Sequence, residues 1–282
     1  MNYIWIGGTG RSGTTALWRA FQQHRDVATT QAEWHIFSDP RGALHLMEAA
    51  SKFDRHQLDP AVEGFLDMVD HWAPQLQDKC GDVRPRCQRF AAEIQMGNNA
   101  IEASRALISD LVVQSFEVTK ENASKGWYCE KTPGNLLAVR ALLRVFPESR
   151  FIHIKRKPSE VIESWSRMTW CPVGSDIERV GQYLETSWYG PWAEVRDWAR
   201  HQENYFELKL EDACREPGVT MRVLGDFIGL KPFRYDNPFG SDKITRIDDH
   251  PKRELLERLG AGFEDLMGYG WNNKELIEQE CS

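Results

Sequence analysis

The sequence lacks long apolar runs and any regular spacing of cysteines. No stretch approaches the roughly 20 consecutive apolar residues that a membrane-spanning helix needs. Residues 1–6 lead directly into a glycine-rich segment, so a signal peptide is not expected. The six cysteines show no CxxC spacing and do not form the pattern of a disulfide framework. We therefore expect a reduced, cytoplasmic protein.

The chain also lacks an excess of positive charge. It has 35 Lys and Arg residues against 42 Asp and Glu residues, which gives a formal net charge of −7 at pH 7. Such a protein is not expected to bind nucleic acid or an anionic membrane through a broad surface, so any anion must be held at a local site. No HExxH motif and no Cys/His cluster is present, and the sequence therefore predicts no metal site.

Short apolar segments alternate with helical patterns along the chain. Strand-like segments occur at residues 3–6, 127–129, 150–154 and 205–210, and helical patterns follow them at 16–21, 135–145, 159–168 and 219–228. This alternation predicts one α/β domain over residues 1–282, with a central parallel sheet flanked by helices. Between about residues 39 and 122 the apolar residues recur at three- and four-residue steps, which predicts a helical insertion.

The segment GGTGRSGTT, residues 7–15, connects the first strand to the first helix. Gly8 and Gly13 match the frame of a Walker A loop, but Thr14 stands where that loop has its phosphate-binding lysine. The backbone N–H groups at the start of the helix favour an anion, and Arg11 can place a planar cation against it. A tight turn without a ligand is the alternative. The position and composition of the segment favour a phosphate site.

This loop resembles the 5′-phosphosulfate loop of sulfotransferases that use 3′-phosphoadenosine 5′-phosphosulfate. A second segment, FIHIKRKP followed by VIESW, is similar to the 3′-phosphate motif of the same family. In that motif an arginine at the end of a strand is followed eight residues later by a serine, and here these residues are Arg156 and Ser164. Eight residues span about two helical turns, so a guanidinium and a hydroxyl can converge on one phosphate.

The resemblance implies a P-loop NTPase-like sulfotransferase fold and a donor that becomes adenosine 3′,5′-bisphosphate, with no metal required. The donor would be bound by Thr9, Gly10, Arg11, Ser12, Gly13, Thr14, Thr15, Arg156, Ser164 and Lys243. Lys243 lies in SDKITR, which resembles a C-terminal loop that closes over the nucleotide in some members. The segment EKTP, residues 130–133, resembles a segment of the carbohydrate and bacterial enzymes, whose lysine reaches the transferring group. Lys131 is therefore expected to meet the developing charge, and Arg11 the bridging oxygen.

A general base is expected in the segment QAEWHIF, residues 31–37. It resembles the K-E-x-H-F-F segment of glycosaminoglycan sulfotransferases, whose glutamate takes the proton from the acceptor hydroxyl. Glu33 is the corresponding residue, and His35 is the competing candidate. Ala32 replaces the family's lysine, which predicts that Glu33 has no neighbouring cation. Shielding by Trp34 and Phe37 predicts a raised pKa for Glu33.

Two other functions are compatible with these motifs. A P-loop nucleotide kinase would need the lysine that Thr14 replaces, and a nucleotide-binding pseudoenzyme would keep the fold without turnover. The acceptor of a sulfotransferase would carry a hydroxyl group, on a small molecule, a lipid, a sugar or a carrier-bound intermediate. The sequence does not choose among these acceptors, and it leaves the oligomeric state open.

Overall fold

The computed structural model describes residues 2–30, 33–37, 41–51, 55–72, 83–96, 99–117, 125–240 and 247–270. It contains a sheet of five parallel strands in the order β2-β3-β1-β4-β5. The strands are β1 (Asn2–Gly7), β2 (Val27–Thr29), β3 (Trp127–Lys131), β4 (Arg150–Lys155) and β5 (Tyr205–Lys209). The predicted α/β domain with a central parallel sheet is confirmed.

Helices connect the strands and cover both faces of the sheet. They are α1 (Thr14–Gln22), α2 (Ala43–Ser51), α3 (Arg55–Trp72), α4 (Arg84–Gln95), α5 (Ala100–Glu117), α6 (Asn135–Val145), α7 (Pro158–Ser166), α8 (Ile177–Leu184), α9 (Gly190–Arg200), α10 (Leu210–Arg215), α11 (Pro217–Ile228) and α12 (Arg253–Met267). Helices α2 to α5 lie between β2 and β3, which confirms the helical character predicted for that region. No helix in the described ranges is both long and apolar enough to cross a membrane.

Successive side chains of β1 point to opposite faces of the sheet, so they pack in two hydrophobic clusters, one on each face. Ile4 and Ile6 pack with Leu17 of α1, whereas Tyr3 and Trp5 belong to the other cluster with Phe146. Because β1 is central and buried on both faces, its sequence is almost continuously apolar, as expected for a strand of a parallel sheet.

A π-helical turn, Glu185–Tyr189, joins α8 to α9. Pro191 lies in the first turn of α9 and has no N–H to donate to the preceding helix. Single π-turns of this kind occur mostly inside longer α-helices.

The carboxyl ends of the parallel strands meet at one edge of the sheet. In the register of the strands Ile6 lies opposite Lys131, and Gly7 lies opposite His153. The loops that follow β1, β2, β3 and β4 therefore emerge side by side, at the edge where open α/β sheets bind their ligands.

Candidate active site

The loop after β1 adopts a conformation that exposes backbone N–H groups at the start of α1. Gly13 has a φ of 100° and Arg11 a φ of 73°, both in the left-handed region. The Ser12 hydroxyl donates to the Ile154 carbonyl at 2.8 Å, which ties the loop to the end of β4. Since α1 begins at Thr14, the N–H groups of its first turn and its dipole favour an anion at this loop.

The second predicted anion site lies directly beside the loop. Arg156 follows β4, and Ser164 lies on α7, whose first residue is Pro158. Arg11 Nε donates to Ser164 Oγ at 3.1 Å, and Arg156 Nη1 donates to the Arg11 carbonyl at 3.4 Å. The two motifs that the sequence suggested as halves of one site are therefore in direct contact.

One cavity of about 290 Å³ joins these groups. Its lining residues include Arg11, Gly13, Thr14, Thr15, Ala16, Arg19, Arg156, Ser164, Leu210, Cys214, Pro238, Phe239 and Gly240. Three of these residues are arginines, and several of the others bring hydroxyl groups or the N-terminus of α1. Arg156 also forms an ion pair with Glu160 at 2.9 Å. The positive charge of the arginines suits an anionic ligand in this cavity.

Lys131, Glu33 and His35 lie together at the ends of β3 and β2. Lys131 Nζ donates to Thr15 Oγ1 at 3.2 Å and forms an ion pair with Glu33 Oε1. His35 Nε2 lies 3.2 Å from the other oxygen of Glu33. Because β2 pairs with β3, the segment after β2 is brought against Lys131 and, through Lys131, against the glycine loop.

Two predictions about Glu33 are wrong. The sequence predicted no neighbouring cation, but Lys131, 98 positions away, supplies one. The sequence also predicted a raised pKa. Burial does act in that direction, but the hydrogen bond with His35 and the charge of Lys131 outweigh it and lower the pKa of Glu33. The carboxylate is therefore ionised at neutral pH and is paired with two basic side chains.

The buried carboxylate of Glu130 lies next to this cluster. Glu130 is the residue before Lys131 in the EKTP segment. It accepts hydrogen bonds from the Trp34 backbone N–H at 3.3 Å, the Thr132 hydroxyl at 2.7 Å and the Asn135 amide. Burial raises the pKa of Glu130 despite these hydrogen bonds.

Comparison with known protein families places the chain in one of them. The model of the sulfotransferase family matches residues 4–234, which include the glycine loop, Glu33, Lys131, Arg156 and Ser164. The chain belongs to the sulfotransferase family. No curated protein matches its sequence.

Solved structures similar to this sulfotransferase share its fold at low sequence identity. A sulfotransferase from Alicyclobacillus acidocaldarius aligns with a TM-score of 0.50 and 15% identity, over 94% of this chain and 95% of that one. The sulfotransferase domain of the Synechococcus PCC 7002 olefin synthase aligns with a TM-score of 0.49 and 16% identity, over 100% and 95% of the two chains. At these identities the comparison concerns the fold alone.

Some residues of the sulfotransferase site were not predicted from the sequence. Arg19 lines the cavity one helical turn after Thr15, and the four-residue spacing was the signal that could have identified it. Trp165 follows Ser164 and donates from Nε1 to the Gly10 carbonyl at 2.7 Å, but nothing in the sequence distinguished it from a core tryptophan.

The predictions about Lys243 and about a metal site are considered last. Lys243 lies outside the described residues, so its predicted place in the donor site stays a prediction. In the described part of the chain, no group of three or more His, Cys, Asp and Glu side chains is arranged to hold a metal ion.

Proposed function

We propose that this sulfotransferase transfers a sulfuryl group from 3′-phosphoadenosine 5′-phosphosulfate to an acceptor hydroxyl. The observation that carries the proposal is that residues of both motifs line one cavity. Arg11, Gly13, Thr14 and Thr15 come from the glycine loop and the start of α1, and Arg156 and Ser164 come from the second motif. A nucleotide with phosphates on both its 5′ and its 3′ oxygens suits this lining, because each motif can hold one phosphate.

In an in-line transfer, the residues of the site would neutralise charge, bind the 5′-phosphate and accept a proton. In this proposal Arg11 and Lys131 neutralise charge on the transferring group and on the leaving 5′-phosphate oxygen, and the N–H groups of the loop hold that phosphate. The oxygen of the acceptor hydroxyl forms a bond to sulfur while the bond from sulfur to the 5′-phosphate oxygen breaks. Glu33 accepts the proton that this hydroxyl releases. His35 is the alternative base, since its imidazole lies beside the same carboxylate.

The kinase alternative has less support in the site. Thr14 occupies the position of the phosphate-binding lysine of a Walker A loop, so the loop lacks the residue that clamps the β- and γ-phosphates in a kinase. The acceptor class stays open among small-molecule, lipid, sugar and carrier-bound hydroxyls, because the cavity described here concerns the donor.

Thermal unfolding with nucleotides tests the donor. Adenosine 3′,5′-bisphosphate at a hundredfold excess over its Kd should stabilise the protein by about 2.7 kcal/mol. Adenosine 5′-monophosphate, which lacks the 3′-phosphate, is the matched control and should stabilise it much less. A shift with ATP and magnesium but none with the bisphosphate would contradict the proposal and favour a kinase.

The Glu33→Gln variant separates an enzyme from a pseudoenzyme. The variant should bind the bisphosphate as the wild type does and should lose sulfuryl transfer, measured with radiolabelled donor and a panel of hydroxyl acceptors. Bisphosphate binding without transfer to any acceptor by the wild-type protein would favour the pseudoenzyme.

A further inference from the structure

The segment that carries Glu33, residues 33–37, is hydrogen-bonded to the buried carboxylate of Glu130. Glu130 lies at the end of β3 and is almost completely inaccessible to solvent. Its Oε1 atom accepts the backbone N–H of Trp34 at 3.3 Å, and the same atom accepts the hydroxyl of Thr132 at 2.7 Å. A buried carboxylate needs such donors, and here one of the donors belongs to the segment that carries the proposed base.

Thr132 extends this support to the next residue. Its hydroxyl accepts the backbone N–H of His35 at 3.2 Å while it donates to Glu130. Two consecutive N–H groups of the segment are therefore bound, one directly and one through Thr132. His35 has a φ of 58°, a conformation that a residue with a side chain rarely adopts without such constraint.

The far end of the segment is fixed by packing. The ring of Phe37 meets the ring of Trp5 edge-on at 5.0 Å between centroids, and Phe37 is buried. Between this anchor and Glu130, the side chains of Glu33 and His35 reach back toward Lys131 and toward each other.

We propose that Glu130 is a positioning residue, which fixes the backbone of Trp34 and His35 and thereby holds Glu33 against Lys131. This role rests on the proposed function, since it assigns Glu130 to the geometry of the proton transfer. Glu130 itself does not take the proton: it is buried below the segment, and its oxygens are occupied by donors of the protein.

Two substitutions at Glu130 separate positioning from folding. Glu130→Leu fills the space but removes the acceptor for Trp34 and Thr132. Glu130→Gln keeps a carbonyl oxygen for both donors. Its new amide replaces Oε2, so this variant loses only the hydrogen bond from Asn135, which Asn135→Ala also removes. Glu130→Gln is therefore the conservative variant that should rescue activity.

Asn135→Ala is the matched structural control. It removes a hydrogen bond from the same carboxylate, on the side that faces α6 instead of the segment. A loss of stability without loss of turnover is expected for this variant. Thr132→Val and Thr132→Ser form a second pair, of which only Val removes the acceptor of the His35 N–H.

The experiment combines turnover with hydrogen exchange. Glu130→Leu and Thr132→Val should lower kcat about a hundredfold, the order expected when a catalytic group is displaced by about 1 Å. The Kd for adenosine 3′,5′-bisphosphate should stay within about twofold. Deuterium uptake by a peptide that covers Trp34 and His35 should rise in both variants and should match the wild type in Glu130→Gln, Thr132→Ser and Asn135→Ala.

Three results would overturn the proposal. The first two are unchanged kcat in Glu130→Leu, and an equal loss of kcat and of bisphosphate affinity, which would indicate a merely structural role; the third is given by hydrogen exchange. The exchange measurement does not require activity. If the wild-type protein neither binds the bisphosphate nor transfers a sulfuryl group, the proposed function fails, whereas unchanged uptake at Trp34 and His35 would refute the positioning itself.

Discussion

Arg11 and Ser164 are 153 positions apart in the chain, and Arg11 Nε donates a hydrogen bond to Ser164 Oγ at 3.1 Å. The bond joins the loop after β1 to the helix after β4, two elements that sit side by side because their strands are paired. Arg11, which we propose binds the 5′-phosphate, is therefore oriented toward Ser164, which we propose binds the 3′-phosphate. In this proposal both groups can contact one ligand without a large rearrangement.

Replacement of Arg156 should weaken binding at the 3′-phosphate end alone. Arg156→Ala is expected to lower the affinity for adenosine 3′,5′-bisphosphate on the order of 10- to 100-fold, the value of a charged hydrogen bond. The affinity for adenosine 5′-monophosphate should change little. Isothermal titration measures both. Arg167→Ala is the control, because Arg167 is the exposed arginine after α7 that pairs with Glu163, and equal losses for both nucleotides in Arg156→Ala would contradict the assignment.

The sequence was sufficient to predict the main strands and to identify two motifs that the fold brings into contact. Strands β1, β3, β4 and β5 were predicted because each has a recognisable apolar or alternating pattern. Arg156 and Ser164 were identified by a spacing within one strand–helix unit. Contacts between the end of a strand and the helix that follows it can be predicted from the sequence, because the rise per residue of both elements is known.

The surroundings of Glu33 could not be predicted in the same way. Strand β2, Val27–Thr29, has only three residues, too few for an alternating pattern. Its pairing with β3 nevertheless decides that Glu33 lies against Lys131. Ala32 at the neighbouring position suggested that no cation was present. The pKa of Glu33 was predicted in the wrong direction because only the shielding by Trp34 and Phe37 was considered, without Lys131 and His35.

The pH dependence of turnover should identify the base. A group whose pKa is lowered stays ionised until the pH falls below that pKa, so with Glu33 as base kcat should hold as the pH falls and decline only below about 4.5. His35→Phe removes the hydrogen bond that lowers the pKa of Glu33, so this decline should move to higher pH. Loss of turnover at every pH in His35→Phe, with turnover kept in Glu33→Gln, would instead assign the base to His35.

Gly260 should be required for the packing of α12 against α7. A Cβ at this position would lie 2.7 Å from both the Cβ and the backbone nitrogen of Ser159. Gly260→Ala should therefore lower the free energy of unfolding by about 1–3 kcal/mol, as overpacking does. Gly262→Ala is the matched control on the same helix, because a Cβ there meets nothing within 4 Å and should stabilise the helix by up to about 1 kcal/mol. Equal effects in urea unfolding would contradict the close contact.

Glu207 should make stability depend on pH through a buried ionic network. It forms an ion pair with Lys155, accepts Arg200 Nε at 3.2 Å and accepts the Tyr205 hydroxyl at 2.9 Å. Burial alone would raise its pKa, but the hydrogen bond and charge of His153 and the charges of Lys155 and Arg200 lower it to about 2.

Because the unfolded carboxyl takes up a proton first as the pH falls, the stability that Glu207 contributes is present above about pH 4.5 and is lost between about 4.5 and 2. Glu207→Gln leaves two buried cations without their carboxylate and should cost about 3–5 kcal/mol at pH 7. At pH 4 the same comparison with the wild type should give a cost smaller by about 1 kcal/mol. Urea unfolding at the two pH values measures the difference, with Glu257→Gln as a control in an exposed pair with Arg253. A cost that does not change with pH would mean that the pKa of Glu207 is not lowered in the folded protein.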